Sequence, residues 1–260
     1  MSYLRGNYTR MRKKIVAGNW KMNKTITEAM ELAVHLTEYQ NEFPKDTVVI
    51  LAPPALYLGS LELMEHLNVQ LAGQNCSEKD SGAYTGEISA GMLKAMNVQY
   101  CLVGHSERRQ YFGETDEIIK NKVDACLRNE ITPIFCCGEV LAEREANTHF
   151  VCVLQQLQGA LWHLSSEQVK SVIIAYEPVW AIGTGVTATT TQAQEMHAFI
   201  RLSLANHFGD DVAESISILY GGSVSPLNSA ELFAQNDVDG GLVGGASLKA
   251  KDFAAIIQST

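Results

Sequence analysis

Three side chains stand where this sequence could do acid–base chemistry: Glu177, His105 and Lys21. Glu177 lies in Ala175-Tyr176-Glu177-Pro178-Val179-Trp180-Ala181-Ile182-Gly183-Thr184-Gly185. An apolar run, Val172 to Ala175, delivers this carboxylate to a proline-led loop with closely spaced glycines. Proline disfavours the helical region for the residue before it, so Glu177 is expected in extended backbone at a strand end. The glycines permit conformations and close ligand approaches that a Cβ would block. A base held beside a loop able to close can abstract a proton away from bulk water.

His105, between Gly104 and Ser106, falls where a strand turns into a helix. The positive end of a helix dipole disfavours imidazolium, which would leave a neutral ring able to donate a hydrogen bond. Its alternative reading is a packing histidine bonded to a nearby carbonyl. Lys21 follows Trp20 at the end of the first apolar run, where it reads either as a solvated surface charge or as a counter-ion for an anionic substrate. Asn19 would orient it or donate to the substrate. Glu107 reads as an ion-pair partner for Arg108, Arg109 or Lys21, and Glu139 as a helix-start carboxylate. Gly221-Gly222-Ser223 and Gly244-Gly245 each follow an apolar run and precede a helix. Backbone N–H groups at such places bind phosphate.

The elements that must position these groups alternate along the chain. Strand candidates are Lys14–Gly18, Thr47–Ala52, Val69–Ala72, Tyr100–Val103, Thr132–Cys136, Val172–Ala175, Ser217–Leu219 and Gly240–Val243. Most are nearly continuous apolar runs, the pattern of parallel strands buried on both faces. Between them lie helical patterns. Thr25 and Glu28 have capping-box spacing, Val151 to Leu164 and Met196 to Ile200 repeat at helical spacing, and Ser225-Pro226 and Asp252 to Ile257 open and close the last helices. The histidines His35, His66, His163, His197 and His207 also fall in helical patterns.

Eight strand–helix units without a composition break suit one closed (β/α)8 barrel better than a doubly wound open sheet. In such a barrel the chemistry belongs at the C-terminal strand ends, where Asn19, Lys21, His105, Glu177 and both glycine pairs fall.

Composition narrows the function further. The chain has 260 residues, 46% hydrophobic and 19% charged, a globular balance. A net charge of −9 argues against nucleic acid as a partner. No apolar run approaches the roughly 20 residues that span a bilayer, so no membrane role is expected. Residues 1–11 lack a secretory core and read as a disordered extension or tag before a single domain over 12–260. Six cysteines without a Cys-x-x-Cys pair read as buried reduced thiols of a cytoplasmic protein. Seven scattered histidines show no ligand spacing, so no metal is expected.

Taken together, Asn19-Trp20-Lys21-Met22-Asn23, Gly104-His105-Ser106-Glu107-Arg108-Arg109, Tyr176 to Gly185, Leu219-Tyr220-Gly221-Gly222-Ser223 and Leu242 to Leu248 resemble the motifs of the triosephosphate isomerase family, in its order. The resemblance runs from about Arg12 to Ile257. It implies an α/β TIM barrel that interconverts dihydroxyacetone phosphate and glyceraldehyde 3-phosphate without cofactor or metal, in glycolysis and gluconeogenesis. By resemblance Glu177 is the base, His105 the neutral electrophile, and Lys21 and Asn19 bind substrate and its oxyanion. Gly183, Ser223, Gly244 and Gly245 would bind phosphate, with Ser106 and Glu107 in support. Pro178 to Ala188 would form a lid. Gln74-Asn75, followed by Ser81 to Glu87, resembles a loop that docks into a second subunit, with Thr85 reaching that subunit's active site, so the resemblance implies a homodimer.

Two other functions stay open from the residues alone. An aldolase-like barrel would need a Schiff-base lysine at a late strand end, but Lys170 only precedes the sixth strand and Lys249 only follows the eighth. A silent scaffold barrel would be expected to have lost its base, electrophile or lysine.

Overall fold

Strands that are apolar on both faces need cover on both sides. Closing them into a barrel covers one face, and surrounding helices cover the other. The computed structural model describes residues 12–182 and 187–260. Its strands are β1 Lys14–Asn19, β2 Thr47–Ala52, β3 Gln70–Gly73, β4 Tyr100–Val103, β5 Thr132–Cys137, β6 Ile173–Tyr176, β7 Ile218–Tyr220 and β8 Gly240–Val243. Each pairs in parallel with the next, and β8 returns to β1, so the expected closed barrel replaces the open sheet.

Alternation along the strands divides the core in two. Ile15 and Ala17 of β1, Ile50 and Ala52 of β2, Leu102 of β4, Ile134 of β5 and Leu219 of β7 pack together inside the barrel. Their neighbours Val16, Leu51, Val103, Phe135 and Ile218 pack outward against the helices. β3, β6 and β7 run one residue later than their apolar runs suggest. Hydrogen-bonded register sets a strand's end, and Gly73 pairs with Cys101 while Tyr176 pairs with both Cys137 and Tyr220.

The helix at Ile26–Thr37 opens on the expected capping box: Glu28 N–H donates to Thr25 Oγ1, and Thr25 N–H to the Glu28 carboxylate at 2.7 Å. Ser225-Pro226 does not open a helix. Asn228 Oδ1 accepts from Ser225 N–H at 2.8 Å, closing a turn, and the helix begins at Ser229. Leu164 lies beyond the helix His149–Leu161, and Val151 on that helix faces solvent. His66 and His163 lie in turns rather than helices.

At the barrel's N-terminal end, buried Asp239 receives Arg12 Nε and Arg201 Nη2, each at 2.8 Å, and Ile218 N–H at 2.9 Å. The network ties the starts of β7 and β8 together away from the candidate site. All six cysteines are free thiols, five of them buried. No described helix is long and apolar enough to cross a membrane.

Candidate active site

The C-terminal strand ends surround a cavity of roughly 490 Å³ lined by Asn19, Lys21, His105, Glu177, Gly221, Gly222, Ser223, Gly244 and Gly245, among others. Five strand ends, those of β1, β4, β6, β7 and β8, thus contribute at once.

Glu177 is 1% exposed. Its N–H donates to Cys137 O at 2.7 Å, carrying the β6–β5 pairing one residue beyond the strand. Its side chain accepts from His105 Nε2 at 2.9 Å and from Ser106 N–H at 2.8 Å. Glycines make room for it. A Cβ on Gly138 would lie 1.7 Å from Glu177 O, and one on Gly221 would lie 2.9 Å from Glu177 Cγ.

His105 caps the helix Ser106–Phe112, and its Nδ1 accepts the Glu107 N–H at 3.2 Å. That contact occupies the Nδ1 lone pair and leaves the proton on Nε2, the nitrogen facing Glu177 and the cavity. Contact with Glu177 opposes the expected bias toward neutrality. Burial lowers the His105 pKa, but the charge and hydrogen bond of Glu177 raise it, and the net shift is upward. For Glu177 burial pushes the pKa up, while His105 and Ser106 pull it down, and the net shift is downward. In this arrangement the carboxylate is the favoured form, with one oxygen bonded to His105 and the other to Ser106.

Lys21 sits at φ +52°, a left-handed conformation that a lysine rarely adopts. Asn19 Oδ1 accepts its N–H at 3.0 Å, and Gln74 Nε2 donates to its carbonyl at 2.9 Å. The same Gln74 nitrogen also reaches Ala52 O at 2.8 Å. Of the partners considered for Glu107, Lys21 is the one that pairs with it, at 2.5 Å. Arg108 and Arg109 turn away to Glu114 and Asp116. This pairing holds the ammonium at the cavity's edge.

Glu139 differs from its sequence reading. It does not serve the helix start, a role taken by Glu143, which accepts the Val140 N–H at 2.8 Å. Glu139 is fully buried and accepts from Tyr176 OH at 3.0 Å and Trp180 Nε1 at 2.8 Å. Burial outweighs those bonds and raises its pKa. Through Trp180 it holds the start of the segment expected to be a lid.

At the end of β7, Ser223 Oγ donates to Ala181 O at 2.7 Å, joining the β7 loop to the segment after Glu177. Gly244 and Gly245 open a short 3-10 turn, Gly245–Leu248, with Ser247 N–H on Gly244 O. Gly183 lies outside the described residues, as does the middle of the expected lid, 183–186.

Thr85 is not brought to this cavity. Residues 81–87 are exposed on a loop whose root is closed by Ser77 N–H on Ile88 O at 2.7 Å. A second hollow, lined by Lys21, Met22, Gln74, Asn75, His105 and Phe112 among others, opens beside the first.

Gly138 was absent from the sequence-derived site, and nothing beyond its residue type signalled it. Gln74 was read only as part of the loop after β3, and Gly221 only as a phosphate-binding candidate rather than as a residue packed against Glu177.

Comparison with known proteins agrees with this geometry. A family model described as triosephosphate isomerase matches residues 14–260. A triosephosphate isomerase of Cytophaga hutchinsonii is 53% identical over 250 residues, 96% of this chain and 100% of that protein. One from Bacteroides fragilis is 53% identical over 251 residues, covering 96% and 99%, and one from Porphyromonas gingivalis is 50% identical over 250 residues, covering 96% and 100%.

Proposed function

The chain belongs to the triosephosphate isomerase family and has that family's isomerase activity, and from this premise we propose how its residues carry out the reaction. Glu177 takes a proton from the carbon beside the substrate carbonyl and returns it to the neighbouring carbon, through an enediolate. His105 donates from Nε2 to the oxygen on which charge develops, and Asn19 and the Lys21 ammonium stabilise that charge. Ser223, Gly244 and Gly245 hold the phosphate, and Gly183 is proposed to join them.

One observation carries this reading: the Glu177 carboxylate and His105 Nε2 meet at 2.9 Å across a cavity that also holds Lys21 and the glycine-lined β7 and β8 loops. Base and electrophile are mutually satisfied, so substrate must separate them. Separation removes the carboxylate that raises the His105 pKa and returns the ring toward neutrality, the state suited to donation. Because Pro178 follows Glu177 directly, movement of the lid and freeing of the base are coupled.

The exposed 81–87 loop and the second hollow support a homodimer in which Thr85 of the partner subunit approaches Lys21 and His105. Met22, 96% exposed, and Phe112, 68% exposed, are apolar groups at that hollow suited to cover by protein. A cytoplasmic location, serving glycolysis and gluconeogenesis, belongs to the same reading.

Glu177→Asp tests the assignment of the base. Withdrawing the carboxylate by one methylene is expected to lower kcat by about 100-fold or more, while a phosphate-bearing enediolate analogue still binds. Wild-type turnover in that variant would remove Glu177 from the role.

A further inference from the structure

Three cysteines that the reaction does not use converge between the barrel and its helices. Cys76 opens the loop after β3, Cys101 faces outward from β4, and Cys126 lies on the helix Asp116–Arg128. All are buried, and their sulfur atoms lie within 4.8 Å of one another, with Cys76 and Cys126 Sγ 3.5 Å apart. No other trio of His, Cys, Asp or Glu converges in this way among the described residues.

The Lys122 ammonium is itself buried beside the cluster, at 2.7 Å from Asn75 Oδ1 and 2.6 Å from Glu114 Oε1. Its ion pair with Glu114 thus stands beside Asn75, the chain neighbour of Cys76.

We propose that Cys76, Cys101 and Cys126 form a three-sulfur site for a soft monovalent cation, Cu(I), at the root of the loop that follows β3. Metal–sulfur bonds of about 2.3 Å would place sulfurs around one ion about 3.8–4.0 Å apart. The observed cluster reaches that spacing by sulfur movements of less than about 1 Å, within the range of side-chain adjustment. Soft thiolates select Cu(I) among biological cations, whereas a closed zinc site needs four ligands and the trio supplies three. Binding forms three Cu–S bonds, the thiol protons leave to solvent, and no electron is transferred. The ion would tie the root of the exposed loop to β4 and to the helix Asp116–Arg128.

The test is an anaerobic titration of the folded, reduced protein with Cu(I) against a chromophoric chelator, with X-ray absorption of the loaded protein. One ion per chain in a three-sulfur shell is expected. Cys101→Ala and Cys126→Ala should each weaken binding by at least about tenfold. Cys152→Ala, a half-buried thiol outside the trio, should leave it unchanged. Unaltered affinity in either of the first two variants, or lost affinity in Cys152→Ala, overturns the proposal. Should the first two fail to fold, the absorption spectrum of the unaltered protein decides: a two-sulfur or nitrogen/oxygen shell, or no retained ion, overturns it equally.

Discussion

Gly221→Ala displaces the proposed base without altering its chemistry. The new Cβ would stand 2.9 Å from Glu177 Cγ and 3.1 Å from Tyr176 O. Ordinary carbon–carbon contact begins at about 3.5 Å, so the two carbons must separate by roughly 0.6 Å. The Glu177 backbone has little room to yield: its N–H is bonded to Cys137 O, and its carbonyl fills the space beside Gly138. Most of the displacement therefore falls on the carboxylate. If a misplacement of about 1 Å costs roughly 100-fold in rate, 0.6 Å costs on the order of 10- to 20-fold, or about 1.5 kcal/mol. Crowding should also cost about 1–3 kcal/mol of stability. Steady-state kinetics in a coupled isomerase assay, beside a melting curve, separates the two effects. The expected result is kcat reduced about tenfold or more, with a smaller change in KM, in a protein still folded at the assay temperature. A folded variant with wild-type kcat would refute the inference that the narrow space between Gly221 and Gly138 sets the position of the base.

Three further outcomes follow from the same geometry. His105→Gln removes the Nε2 donor and is expected to slow turnover by about 100-fold or more without unfolding the chain; unchanged kinetics would make His105 a packing residue. Gln74→Leu removes the side-chain donor to the Lys21 carbonyl, while the Ala52 carbonyl keeps the Trp20 N–H, at a cost of about 1 kcal/mol, and should raise KM as Lys21 relaxes from φ +52°; an unchanged KM would separate that backbone strain from substrate binding. Burial depresses the His197 pKa from 6.5 to about 4, so between those values the unfolded chain binds a proton that the native state refuses. Stability from this group is present above pH 6.5 and lost as pH falls toward 4, at up to about 1.4 kcal/mol per pH unit. Urea midpoints measured across that window should fall less steeply in His197→Gln than in the unaltered protein, and parallel curves would contradict the assignment.

What was legible in the sequence was local. Eight apolar runs revealed eight strands because strands buried on both faces carry no polar alternation, and Thr25 with Glu28 revealed a helix start because both halves of that cap lie within one turn. Asn19, Lys21, His105 and Glu177 could be placed together because each lies at its strand's end or within two residues of it, and barrel closure carries all such ends to one rim. Ser225-Pro226 misled because proline at a helix start and proline in a turn have the same local pattern, and the choice depended on Asn228 closing the turn.

The sequence by itself therefore determined the barrel and the side chains at its mouth, since strand identity and strand ends are short-range properties. Only the tertiary structure decided which groups meet. It paired Lys21 with Glu107 rather than leaving Glu107 to Arg108 or Arg109, and buried Glu139 under Tyr176 and Trp180. It also gave Gln74 the Lys21 carbonyl, set Gly221 against Glu177, and gathered three cysteines from a loop, a strand and a helix. Those contacts depend on barrel stagger and on where each helix lies against the strands, and residues distant along the chain carry no local trace of either.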